Sequence, residues 1–98
     1  MSPSARSTKL LESEGWLVAN VEKRLTRVLS QDLYGFVDLL CIRPGETLAV
    51  QTTDDTNFSK RRRKILESEN LARVRAAGWR IECHGWKKRG TACRRESI

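Results

Sequence analysis

One acid set in an apolar strand constrains this chain more than any other feature. Residues Gly35-Phe36-Val37-Asp38-Leu39-Leu40-Cys41-Ile42 form a hydrophobic run that is continuous rather than alternating. Such a run predicts a strand buried on both faces. Asp38 interrupts it, and a lone carboxylate there is costly unless it is paired, bound to metal or protonated. The turn Arg43-Pro44-Gly45-Glu46 leads to a second strand over residues 47–53. Side chains alternate along a strand, so Gln51 and Thr53 share a face. The four-residue connection is short enough to enforce a hairpin, which sets that polar face beside Asp38.

Ninety-eight residues suffice for one small domain and a modest core. The chain is read as a single domain over 1–98, with a core of about 4–86 and a basic tail at 87–98. Nineteen Lys and Arg against twelve Asp and Glu leave a formal charge of +7. That balance favours a polyanionic partner, most often nucleic acid. The three cysteines Cys41, Cys83 and Cys93 are too few and too scattered for a disulfide framework. Cys41 and Cys83 fall in apolar strand patterns and read as core thiols, which suggests a reducing compartment. No segment is long and apolar enough to cross a membrane, and residues 1–6 lack the apolar stretch of a signal peptide. The expected location is cytoplasmic.

Ser2 or Ser4 can cap a first helix that runs to about Glu14 and stops at Gly15. Residues 16–21 read as a strand, closed by Glu22-Lys23-Arg24. Residues 25–34 show no period and read as a polar loop. After the two strands around Asp38, Asp54-Asp55-Thr56-Asn57 forms a turn or cap cluster. Residues 58–77 carry an imperfect apolar stripe of one long helix, ended by Gly78. Residues 79–83 alternate strictly, placing Trp79, Ile81 and Cys83 inward and Arg80, Glu82 and His84 on the other face. The tail from Lys87 reads as frayed. The fold class is therefore α/β: a single αβββαβ domain with a mixed central sheet flanked by helices. Its first three strands form a meander, and the long helix crosses over to a last strand parallel to an earlier one.

An acid on one strand and two polar groups at i and i+2 on the next form the skeleton of a metal-dependent nuclease site. With the element order, this resembles the PD-(D/E)XK, restriction-endonuclease-like nuclease superfamily, and within it the small Holliday-junction-resolvase-like and phage-type members. The resemblance spans roughly residues 4–86 by element order, while the motif itself is short. Asp38, three residues after Gly35, matches the family's strand-two aspartate. The acid-x-Lys motif falls on Gln51-Thr52-Thr53. Gln51 stands where Glu or Asp is usual, and its amide oxygen can ligate a hard cation without adding charge. Thr53 stands where the catalytic lysine is usual and offers no cation. The resemblance implies Mg²⁺ or Mn²⁺ as cofactor, with Asp38, Gln51 and Glu22 as ligands, DNA as partner, possibly branched, and a homodimer. It also implies that Lys60 or Arg61 reaches in from the next helix to supply the missing cation, or that the site is inactive.

The run Lys60-Arg61-Arg62-Arg63-Lys64 is the second signal. Five consecutive cations span more than a helical turn and sit near a helix N-terminus, where the macrodipole disfavours them. Phosphate contact is their natural use, and Arg61, Arg62, Arg63 and Lys64 are expected to hold a nucleic-acid backbone. The remaining residues invite plainer readings. Asp32 reads as a loop-end cap, and His84 as a surface residue. Trp86, after Gly85, is placed to stack on a base or a partner subunit. The expected function is Mg²⁺-dependent phosphodiester hydrolysis by an endodeoxyribonuclease. The alternatives are an inactive DNA-binding module of the same fold and a regulatory protein that binds an acidic partner.

Overall fold

The computed structural model describes all 98 residues, Met1–Ile98. Helix α1 (Pro3–Ser13) begins where Ser2 accepts a hydrogen bond from the Ala5 amide at 3.1 Å, with Pro3 in its first turn. It ends at Glu14, and Gly15 follows at φ +90°, a conformation glycine adopts without penalty. Strand β1 (Leu17–Asn20) comes next, then the short strands β2 (Lys23–Arg24) and β3 (Ser30–Gln31). Strands β4 (Leu39–Arg43) and β5 (Glu46–Asp54) form the expected hairpin. A single 3₁₀ turn, Asp55–Asn57, leads into α2 (Phe58–Leu66) and α3 (Leu71–Ala76), and β6 (Arg80–Trp86) and β7 (Cys93–Ser97) complete the chain.

The central sheet is mixed, with order β1-β4-β5-β6-β7; only the β5–β6 pair is parallel. Strand β5 lies in the middle and is buried continuously from Leu48 to Thr53. Each face has its own core. On one, Leu11 of α1 and Trp16 pack with Leu39, Cys41, Leu48 and Val50. On the other, Phe58 and Ile65 of α2 and Leu71 and Val74 of α3 pack with Phe36, Val37, Ala49, Ile81 and Cys83. Helices therefore cover both faces of an α/β sheet. No helix is long and apolar enough to cross a membrane.

Four expectations need correction. The long helix over 58–77 is two helices. Between them the Ser68 hydroxyl accepts from the Asn70 amide at 3.2 Å, and the Asn70 side chain donates to the Tyr34 carbonyl. Such side chains compete with the helical hydrogen bonds and break the run. The segment 25–34 carries the tip and the second strand of the β2–β3 hairpin, a separate two-stranded sheet whose first strand falls on Lys23–Arg24. The tail is not frayed: β7 pairs antiparallel with all of β6 from Glu82 to Trp86. Its polarity reflects an edge position, where half the side chains face water. Strand β6 itself runs three residues past Cys83, and both of its faces are buried.

Asp38 sits one residue before β4, yet its amide still donates to the Val50 carbonyl at 2.9 Å. The register Leu39↔Val50 carries it to the position opposite Gln51. The turn before it is tight. Gly35, at φ +83°, follows Tyr34 at φ +54°, and the Gly35 amide donates to the Asp32 carbonyl at 3.1 Å. A tyrosine in the left-handed region is uncommon and strained. Here it reverses the chain so that Asp32 is brought back towards Asp38.

Candidate functional site

Asp38 and Gln51 project from the same face of the hairpin. The Gln51 amide nitrogen donates to Asp38 Oδ2 at 2.6 Å, and the Thr52 backbone amide donates to the same oxygen at 2.8 Å. Both side chains are almost fully buried. Two of their oxygens, Asp38 Oδ1 and Gln51 Oε1, have no hydrogen-bond partner. Buried polar atoms are normally satisfied, and an orphan costs about 1–3 kcal/mol. Here there are two, on adjacent strands.

The carboxylates of Glu22, Asp32 and Asp38 each bring an oxygen within 4.8 Å of the others. Glu22 lies just before β2 and Asp32 just after β3, so the small hairpin carries one acid on each stem. Asp32 was not singled out by the sequence, where it is one acid in an aperiodic stretch. These residues line a cavity of about 370 Å³ with no hydrophobic wall. Thr53 also lines it, as do Arg61 and Lys64 of α2. The Lys64 ammonium contacts Asp32 Oδ2 at 2.6 Å.

The electrostatics follow from this crowding. Burial pushes the Asp38 carboxyl well above its ordinary value; the neighbouring Asp32 carboxyl and the charge of Glu22 act in the same direction, against the Thr52 amide. Burial also opposes ionisation of Asp32, but its contacts with Asp38 and the Lys64 ammonium hold its carboxyl below the ordinary value. Two carboxyl groups whose affinities for a proton are driven apart mark a site poised for an ion or a proton.

The sequence candidates distribute unevenly. Asp38, Gln51, Thr53, Glu22, Arg61 and Lys64 meet at one cavity, whereas Lys60 lies outside it. Arg62 is engaged elsewhere, its guanidinium against Glu96 of β7 at 2.6 Å. Lys60 and Arg63 face solvent along α2, in a shallow groove they share with Arg61 and Lys64.

His84 is buried, not superficial, and Glu82 is buried with it. The Trp86 indole donates to the Ser7 hydroxyl at 2.8 Å, and Ser7 passes its own proton to His84 Nδ1 at 2.9 Å. His84 Nε2 then donates to Glu82 Oε1 at 2.9 Å. Arg95 reaches the same carboxylate at 2.6 Å and forks onto Glu14 at 2.6 and 2.8 Å. Burial alone would raise the Glu82 carboxyl, but His84 and Arg95 overcome it and bring it down to about 2. The serine–histidine–acid order looks like a hydrolytic triad. No substrate can reach it, because all three residues are buried and Trp86 caps the serine. It is a structural clasp joining α1 to β6 and β7. Trp86 is consequently not free to stack on a base; its other contact is the Arg6 guanidinium, 4.4 Å from the ring. The thiols of Cys41 and Cys83 are pushed up by burial to about 12 and about 11, so they are inert packing groups.

No family model, curated protein or solved structure matches the chain.

Proposed function

We propose that the chain is a divalent-metal-dependent nuclease of the restriction-endonuclease-like type, acting on DNA. The observation that carries the reading is the pair of buried, unpartnered oxygens, Asp38 Oδ1 and Gln51 Oε1, beside the carboxylates of Asp32 and Glu22. This donor set is all oxygen, and such ligands suit Mg²⁺ or Mn²⁺. Asp38, Asp32, Glu22 and Gln51 would hold the ion. When bound, it supplies Lewis-acid polarisation of a phosphoryl oxygen and acidifies a water molecule.

The chain's own groups have separable roles. Asp38 must lose its proton to serve as a ligand; the Thr52 amide favours that loss, and the charge of a bound ion would add to it. Lys64 and Arg61 stand where a cation can clamp a phosphate, which replaces the lysine missing at Thr53. The Thr53 hydroxyl supplies a neutral donor in the same cavity. Lys60 and Arg63, exposed beside the cavity, suit contact with flanking phosphates. A homodimer, with one site per DNA strand, and a cytoplasmic location belong to the same proposal.

The test is cleavage of duplex, single-stranded and four-way-junction DNA with Mg²⁺ or Mn²⁺. Asp38→Ala should abolish cleavage and leave DNA binding intact. Cutting that persists in EDTA or in Asp38→Ala would refute the metal site. One observation favours the second reading, an inactive DNA-binding module: Lys64 is already neutralised by Asp32. In that case Mn²⁺ would neither bind nor displace the ammonium, and salt-dependent DNA binding would remain without cleavage.

A further inference from the structure

The β2–β3 hairpin differs from the rest of the surface. Three large hydrophobic side chains stand exposed within five residues at its tip: Leu25 at 52%, Val28 at 89% and Leu29 at 58%. The tip is held in this shape by its own hydrogen bonds. The Leu25 amide donates to the Leu29 carbonyl at 2.9 Å, and the Thr26 hydroxyl accepts from the amides of Val28 and Leu29. The apolar groups are thus presented by an ordered turn. Around them Lys23, Arg24 and Arg27 are exposed, and none forms a salt bridge. The stems of this hairpin end at Glu22 and Asp32, two of the three acids of the cavity.

We propose that this hairpin is a wedge that enters DNA beside the cleavage site. Leu25, Val28 and Leu29 take the place of stacked bases, and Lys23, Arg24 and Arg27 neutralise the phosphates on either side. The inference rests on the nucleic-acid reading above and extends it to the form of the substrate: DNA whose bases are unstacked or easily unstacked, as at a branch or a flexible step. The chemistry selects this partner. An apolar tip ringed by unpaired cations is the combination that kinks DNA by inserting between base steps. A second copy of a chain of charge +7 would bring like charges together at the tip. Reach sets the position of the wedge. The five residues after Glu22, two of them in β2, carry the tip at most roughly 16 Å from the acids at ~3.3 Å each. At about 3.4 Å per base step, the unstacked step should lie within about five steps of the cut.

The test uses the full chain in EDTA, with duplex and four-way-junction DNA carrying 2-aminopurine at successive positions. Binding is read by anisotropy and unstacking by 2-aminopurine emission. The natural protein should raise the emission at one step. Val28→Ser/Leu29→Ser should lose that rise while keeping the salt dependence of binding, and Val28→Leu/Leu29→Val should retain it. Lys23→Gln/Arg24→Gln/Arg27→Gln should lower the log–log salt slope by about 2.7, from roughly 0.9 per phosphate contact. The reading and the wedge fail differently. No DNA binding by the natural chain at low salt overturns the nucleic-acid reading and the wedge with it. DNA binding without an emission rise, or with a rise that survives Val28→Ser/Leu29→Ser, overturns the wedge alone. So does a tip variant that keeps its DNA behaviour but dissociates a dimer in sedimentation, or that loses binding only to phosphatidylserine vesicles.

Discussion

Asp38→Asn should make the metal-free protein more stable at neutral pH, and the gain should grow with pH. The folded structure raises the Asp38 carboxyl above its ordinary value of 3.8, chiefly by burial and then by its contact with Asp32. A raised acid favours the folded state most when it is protonated in both states. Its contribution is fully present below about pH 3.8, declines as pH rises past that value, and is gone once pH passes the folded-state value. While Asp38 keeps its proton, each pH step of one above 3.8 costs about 1.4 kcal/mol, which approaches ~4 kcal/mol by pH 7. The lowered Asp32 carboxyl has the opposite linkage and returns part of that. Asp38 is moved further than Asp32, so a net loss remains in the natural chain at pH 7. Asparagine has nothing to titrate. Its carbonyl oxygen can accept the Gln51 and Thr52 hydrogen bonds, and its amide can donate towards Asp32.

Urea unfolding followed by tryptophan fluorescence, at pH 4, 5.5, 7 and 8.5 in EDTA, measures the difference directly. The two chains should be nearly equal at pH 4 and diverge above it, with Asp38→Asn the more stable. Mn²⁺ at about 100 times its dissociation constant should then restore about 2.7 kcal/mol to the natural chain and much less to the variant. A gain that is absent at pH 8.5, or that does not change between pH 4 and 8.5, would refute the assignment of Asp38 as a strained carboxyl.

Three further outcomes follow from single contacts. Gly85→Ala should cost about 1–3 kcal/mol in urea unfolding, because a Cβ there would lie 2.6 Å from Phe58 Cδ2 in the core. Glu82→Gln should cost about 1–3 kcal/mol at pH 7 by replacing the charged acceptor that Arg95 and His84 share with a neutral amide oxygen. Since the lowered Glu82 carboxyl stabilises the fold above its ordinary value of 4.5 and loses that contribution as pH falls towards about 2, the variant should also lack the natural chain's decline over that range. Gln51→Glu should destabilise the metal-free protein by about 1–3 kcal/mol, since it removes the donor to Asp38 Oδ2, and should tighten Mn²⁺ binding about tenfold or more by calorimetry. Paired with Thr53→Lys, it should raise any cleavage rate if the absent strand cation limits the chemistry.

The meeting of Asp38 and Gln51 was legible because it is local. A four-residue turn and a period of two determine which side chains face each other, and only the first residues of the strand were misjudged. Asp32 was not legible because its approach to Asp38 depends on the Tyr34–Gly35 reversal and on a hairpin whose strands are two residues long. Neither leaves a hydrophobic period to count. His84 failed for the opposite reason. Strict alternation placed it on one face of β6 correctly, but that face meets α1, and its partner Ser7 lies 77 residues away. A polar face reads as exposed until the element that covers it is known. The same holds for β7, whose charges answer charges elsewhere: Arg95 to Glu14 and Glu82, Glu96 to Arg62, and Arg94 over the Phe58 ring.

The departures at Gln51 and Thr53 take on a different meaning once Asp32 and Lys64 are in place. Under the proposed function, the pattern this site resembles places two acids and one lysine on the sheet. Here the sheet keeps one acid, Asp38, and supplies neutral groups at the other two positions. The missing negative charge lies on the hairpin stems, at Glu22 and Asp32, and the missing positive charge lies on α2, at Lys64 and Arg61. The charges are of the same kinds, but they are carried by different elements. Two of the three acids belong to a two-stranded sheet that is separate from the central one. The proposed ion site is therefore complete only when that hairpin is docked against the α2 side of the sheet, and Lys64 bonded to Asp32 joins Val21 and Leu33, packed on the core there, in docking it. With an ion held at Asp32, the Lys64 ammonium would be released from that carboxylate and could reach a phosphate. Under the proposed function, this makes the Lys64–Asp32 pair the resting form of the site rather than a sign that it is dead.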